Sequence, residues 1–343
     1  MQLKVRHLGL FILFVLAGCN DARVVGPATN LQDLPGRAVA GPLIPKIKIR
    51  FDEKQTITQQ MFINGASMYL SGRPFGFSSW DIASNPLSPR LQFAFSDNIE
   101  SFAAPGNVSP SWNTDYYASQ AMGAIGRYVL TSGLAGASLL DTGVSNQVVE
   151  LARHPIRTGN DNQVPADPNY IYKAIISDPN QGYFYGFTEQ NGYVPLKLQS
   201  NDVVMQTQAP VAYSANGQKG TCCVLGGATF QNNIFIAFRS SLRQFAFAGN
   251  GNLRQVSVFN DLDATNIVAS NNFLFIQHQA VPGNGYPSGI YVIDGQGNSV
   301  VFLPINPISF AVSPDNNYLY ANLDNDSITV YQINWQAIFG SGY

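Results

Sequence analysis

Short apolar runs recur along this chain in groups of three or four, and turns rich in Asn, Gly, Asp or Pro separate them. This rhythm constrains the fold more than any other feature. Runs of about four to eight residues, rich in β-branched and aromatic side chains and bounded by turn formers, are strands rather than helices. The groups return after roughly 40 to 50 residues in the second half of the chain and somewhat more in the first, about the repeat length of small sheets that must stack on copies of themselves to bury their faces. Six groups are legible, starting near Thr56, Tyr116, Tyr170, Cys222, Asn266 and Phe310.

The fourth and fifth groups share one plan. Gln231-Asn-Asn233 precedes the strand Ile234 to Phe238, and Gly249-Asn-Gly-Asn252 precedes Leu253 to Phe259. Ser270-Asn-Asn272 precedes Phe273 to Gln277 in the same way, and Asp294 to Asn298 precedes Ser299 to Leu303. Equivalent turns at equivalent places are what repeated four-stranded antiparallel meanders need. The expected fold class is therefore all-β, a single β-propeller of six four-stranded blades. Seven blades is the alternative, because the stretches 103–115 and 206–221 are long enough to hold further strands, and two packed β-sandwiches is another arrangement. The sixth group shows three strands only. Upstream, Lys46 to Phe51 alternates Ile47, Ile49 and Phe51 with Lys48 and Arg50, and this orphan strand is predicted to close the ring by pairing with the last group, which removes an open edge.

The sixth group reads Phe310-Ala-Val-Ser-Pro-Asp-Asn-Asn-Tyr-Leu-Tyr-Ala-Asn322, followed by Asp326-Ser-Ile-Thr-Val-Tyr331. It resembles a blade of the YVTN/WD40-like propeller superfamily. Pro314 pre-sets a turn dihedral, Asp315 and Asn316 cap and reverse the chain, and Tyr318 opens the next buried strand. Ser177 to Tyr185 is a scrambled form of the same turn.

At the other end of the chain, Lys4 and Arg6 precede an apolar run from Leu8 to Leu16, and Leu16-Ala17-Gly18-Cys19 closes it. That order is an export signal, and the run is too short for a spanning helix, which needs ~20 apolar residues. The last four residues resemble the lipobox of bacterial lipoproteins. The resemblance implies cleavage before Cys19, acylation of Cys19 (palmitate-type chains) and a membrane partner for that lipid; an ordinary secretory signal is the alternative. Asn20 stands where an aspartate would favour the inner membrane, so the resemblance places the protein in the cell envelope, at the outer membrane. The expected organisation is a signal peptide over 1–18, a lipidated tether over 19–45 broken by Gly26-Pro27, Pro35-Gly36 and Gly41-Pro42, and the propeller over 46–343.

Loss of residues 1–18 removes Lys4 and Arg6 and no acid, which moves the net charge from −2 to −4. With no basic stripe, the chain lacks the electrostatic footprint of a nucleic-acid binder. Two cysteines remain beyond Cys19, and they are neighbours, Cys222 and Cys223. Adjacent Cα atoms lie about 3.8 Å apart, below the ~4.4 Å usual for a disulfide. A bridge between them is a strained, redox-active ring; otherwise they are small residues at a strand start.

Chemistry is sparse. The mature histidines, His154 and His278, lie far apart in sequence and in no metal-spaced cluster, so both read as loop or strand-end residues. No Gly-x-Ser-x-Gly elbow occurs. Asp261 with Asp263, and Asp324 with Asp326, have the alternate spacing of calcium loops but lack the glycine and distal glutamate that complete one, so turn capping is the simpler role and no cofactor is expected. Trp112, Tyr116, Tyr117, Tyr286 and Trp335 fall in expected loops, where aromatic side chains mark contact surfaces. The expected function is a lipid-anchored scaffold that binds another envelope protein. A propeller enzyme such as a lactonase or quinone-dependent dehydrogenase, or a glycan-binding module, is the alternative.

Overall fold

The computed structural model describes residues 39–50, 57–73, 76–94, 121–133, 136–143, 149–155, 172–188, 192–200, 204–207, 211, 223–239, 241–260, 262–280, 287–324 and 327–340. These residues form a β-propeller of six four-stranded antiparallel sheets. Strand β1 is Leu43–Arg50. Blade 1 holds β2 (Ile57–Asn64), β3 (Ser67–Arg73), β4 (Gly76–Asp81) and β5 (Arg90–Ala94). Blade 2 holds β6 (Ala121–Ile125), β7 (Tyr128–Gly133), β8 (Gly136–Asp141) and β9 (Val149–Pro155). Blade 3 follows with β10 (Tyr172–Asp178), β11 (Tyr183–Thr188), β12 (Tyr193–Leu198) and β13 (Val204–Gln206). Blade 4 has β14 (Val224–Phe230), β15 (Asn233–Phe238), β16 (Ser241–Gly249) and β17 (Asn252–Asn260). Blade 5 has β18 (Ala264–Ala269), β19 (Phe273–His278), β20 (Gly289–Asp294) and β21 (Ser299–Leu303). In blade 6, β22 (Ser309–Val312), β23 (Tyr318–Asn322) and β24 (Ser327–Ile333) precede a short helix, α1 (Trp335–Phe339).

The ring closes as the orphan strand predicted. β1 pairs antiparallel with β24, from Leu43 opposite Ile333 to Arg50 opposite Ser327, so the first strand of the fold is the outermost strand of the last blade. It begins at Leu43, ahead of Lys46, and tolerates Pro45 because an edge strand need not use every N–H; the register shifts between Pro45 and Ile47. The Asn334 N–H donates to the Pro42 carbonyl at 2.9 Å and extends the closure by one link.

One strand escaped the sequence reading. β6 is Ala-Met-Gly-Ala-Ile, which carries almost no strand signature. Its composition answers to packing instead: a Cβ on Gly123 would lie 2.7 Å from Ile175 Cγ2 on the neighbouring inner strand. The inner strands β2, β6, β10, β14, β18 and β22 contact one another in sequence and back to β2. Buried apolar clusters fill the gaps between blades, with Tyr69, Phe77 and Val129 joining blades 1 and 2, and Phe187, Ile236 and Phe245 joining blades 3 and 4. Each fully buried side chain of this size contributes about 1.5–3 kcal/mol.

Turn chemistry sets the hairpins. Gln231 and Asn232 sit at φ 49° and 59° between β14 and β15, the left-handed pair that matches strand twist in a two-residue hairpin. Between β22 and β23, the Ser313 hydroxyl donates to the Asp315 carboxylate and accepts from the Tyr318 N–H at 2.9 Å, while Asn317 donates to both Asp315 oxygens. Burial alone would raise the Asp315 pKa, but the bonds from Ser313 and Asn317 outweigh it and hold the carboxyl below its usual value.

Candidate functional site

Because every blade is an antiparallel meander, its connections divide between two rims. First-to-second and third-to-fourth strand turns emerge at one rim, and most are short, such as Gly65-Ala66, Gly126-Arg127 and Asn250-Gly251. Second-to-third connections and the links between blades leave from the other. There the strand ends frame links over 95–120, 156–171, 207–223 and 279–288. The first is the short-turn rim, the second the long-link rim. The chain enters the fold at the short-turn rim, where Leu43 lies opposite Ile333.

The long-link rim exposes apolar side chains. Ile308, just ahead of β22, is 48% exposed, and Leu323, just after β23, is 40% exposed. They are neighbours, since the Ile308 N–H donates to the Asn322 carbonyl at 2.7 Å. Leu225 on β14 is also 40% exposed, and the pairing shifts there between Val224 and Gly226. A bulge of this kind re-aims a side chain. Equivalent shifts follow Thr58, Tyr172 and Ala264 on three other inner strands.

Inside the ring lies an axial cavity of about 340 Å³, lined by residues of all six inner strands. It occupies the half of the channel nearer the short-turn rim, because the later residues of those strands and Pro179, at the first turn of blade 3, line it. Among the described residues its polar side chains are Gln60, Ser177, Thr229 and Asn266, and no ionisable side chain lines it. The Gln60 Oε1 is sealed from water without a hydrogen-bond partner, whereas Asn266 Oδ1 accepts from the Ile267 N–H at 2.8 Å. Among the described residues, no three His, Cys, Asp or Glu side chains are grouped to hold a metal ion.

The residues singled out in the sequence are scattered around this geometry. Cys19, Cys222, Asp261, Asp326, Trp112, Tyr116, Tyr117 and Tyr286 lie outside the described residues. Cys223 precedes β14 at φ 77°, partly buried, and its carbonyl accepts from the Arg239 N–H at 3.2 Å. Asp324 pairs with Lys48 of β1 and accepts from the Ser327 hydroxyl at 2.6 Å, so its carboxylate serves the closure of the ring. The Asp263 carbonyl accepts from the Gln279 N–H at 3.1 Å. Trp335 opens α1 at the short-turn rim; its ring stacks on Phe273 with centroids 4.6 Å apart, and Nε1 donates to the Asn316 carbonyl at 2.8 Å. His154 lies in β9, and His278 ends β19, fully buried.

Sequence reasoning missed Ile308 and Leu323, which look like ordinary strand-flanking residues, and it missed the lining of the cavity. Aligning the inner strands on their Asn-rich turns would have set Gln60 and Asn266 at one level. No protein-family model matches the chain, and no curated protein does.

Proposed function

We propose that this protein is an envelope-anchored propeller that holds a protein partner on its long-link rim. The observation that carries the reading is the exposed apolar pair Ile308 and Leu323, held side by side at that rim. Grouped exposed apolar side chains mark contact surfaces. The likeness of 310–331 to a YVTN/WD40-like blade supports the same use, because propellers present their rims to partners, an argument by analogy of fold.

Leu16-Ala17-Gly18-Cys19 supports a lipid anchor at Cys19, with the outer membrane as its seat. The strand that follows the tether starts at the short-turn rim, which leaves the long-link rim on the far side of the propeller from the anchor. A tether of this length spans ~25 to 30 Å root-mean-square, enough to hold the contact rim clear of the bilayer. Among the described residues the cavity wall carries no ionisable side chain, which supports binding over turnover.

The test is affinity purification from membranes of the full-length protein beside a Cys19→Ala form and an Ile308→Asp, Leu323→Asp form. The expected result is an envelope protein that co-purifies with the first and is lost with the third, whose thermal midpoint stays within a few degrees of the parent. Recovery of lipid and bulk porins alone, or a partner retained by the double variant, would overturn the reading.

A further inference from the structure

Register places the polar groups of the axial cavity at two depths. Asn64 and Ser67 flank the first turn of blade 1, and Phe230 and Asn233 flank that of blade 4. Asp178 and Tyr183 do so in blade 3, and Ser270 and Phe273 in blade 5. Counting back from those turns, Ser177 and Thr229 stand one residue in, on the adjacent blades 3 and 4. Gln60 and Asn266 stand four residues in, on blades 1 and 5, the two neighbours of blade 6. Three residues of strand separate the two levels, or roughly 10 Å along the axis.

Between those levels the wall is apolar, with Gly123, Gly227, Ala228 and Ala311 standing among larger residues such as Met61, Met122 and Ile175. The volume of about 340 Å³ is in the range of small-molecule sites.

We propose that the axial cavity is a binding site for a small uncharged molecule with a hydroxyl or amide at each end and an apolar body between. The deep end pairs with Gln60 and Asn266, the outer end with Ser177 and Thr229. Charged ligands are excluded, since an ion brought against the described residues of this wall finds no counter-charge and loses its hydration. The site sits at the opposite end of the axis from the contact rim and stands independently of any partner there.

The experiment measures binding of four probes with one ring body to the full-length protein by saturation-transfer NMR and calorimetry. They are trans-1,4-cyclohexanedimethanol, its mono-alcohol analogue (4-methylcyclohexyl)methanol, cyclohexane-1,4-dicarboxylate and 1,4-bis(aminomethyl)cyclohexane in its dicationic form. The expected order is the diol first, the mono-alcohol roughly three- to tenfold weaker for one lost hydrogen bond, and the two ions weaker by more than about tenfold. Gln60→Leu brings the diol and mono-alcohol to equal affinity, and Thr229→Val, at the other end, reproduces the effect should the first variant fold poorly. Absence of diol binding to the folded protein, ions binding as well as the diol, or a diol preference unchanged in a folded variant would each overturn the proposal.

Discussion

The hydroxyl of Tyr320, on the second strand of the last blade, donates at 3.0 Å to the carbonyl of Pro86, in the link between the outer two strands of the first. The two residues are 234 positions apart in the chain and adjacent across the closing seam. The seam is thus joined twice, by β1 on β24 at the circumference and by this bond within the packed interior.

Tyr320→Phe should cost about 1 kcal/mol, since the ring stays and one partly buried hydrogen bond is lost. Alkali offers a second readout. Burial, with a smaller push from Asp315, raises the Tyr320 phenol above its ordinary 10.0. A raised folded pKa means that stability is full below pH 10 and is lost as pH climbs from there toward the folded value. Urea midpoints measured across that alkaline range should fall less steeply in Tyr320→Phe than in the parent; parallel curves would show that Tyr320 is not among the groups responsible.

At the circumference, the ion pair and the strand that bears it should behave differently. Lys48 and Asp324 are 46% and 41% exposed, and exposed pairs contribute at most ~1 kcal/mol. Lys48→Ala should therefore shift the denaturation midpoint little. Deletion of residues 43–50 strips the partner from the whole of β24 and opens an unpaired edge, the template for strand addition by a second chain. Light scattering should find the deleted protein in oligomers or aggregates, and a monomer of unchanged stability would mean that β1 is dispensable to closure.

Much of this architecture is legible in the sequence, and the parts that are not share a cause. Turn residues speak locally: Gln231 and Asn232, or Ser313 to Asn317, declare a hairpin whatever surrounds them, so blades 4 to 6 and the orphan strand can be read directly. β6 cannot, because Ala121, Gly123 and Ala124 were chosen by what lies across the interface rather than by strand propensity. The cavity is harder still. Its wall takes a few residues from each of six strands, and Gln60 and Asn266 come to one level only after every turn between them is placed.

Close packing of the same kind fixes Gly186 on β11. A Cβ there would lie 2.5 Å from the ring of Tyr172, a rigid and fully buried neighbour. Gly186→Ala should destabilise the protein by about 1–3 kcal/mol, the usual cost of overpacking. Tyr172→Leu in the same chain should recover part of the loss by making room for the methyl group. Urea denaturation of both single variants and the double variant measures the coupling, and additive effects would mean that the ring and the missing Cβ do not compete for the same space.

Acid should find its target at His278. Its ring lies fully buried at the end of β19, edge-on to Tyr291, with Nδ1 3.3 Å from the Pro287 carbonyl. Burial lowers its pKa below the ordinary 6.5, against smaller upward pulls from Pro287 and Asp263. The folded protein therefore keeps the imidazole neutral at pH values where the unfolded chain has already taken a proton. Stability should be constant in this group above pH 6.5, fall as the pH drops below it, and level off once the folded ring also protonates. Urea midpoints taken between about pH 7.5 and pH 5, a window chosen to lie mostly above the carboxylate titrations, should decline in the parent and decline less in His278→Gln. The slope is the readout, because loss of the contact with Tyr291 will lower the variant's stability equally at every pH. A variant whose profile runs parallel to that of the parent would remove His278 as the acid-sensitive element.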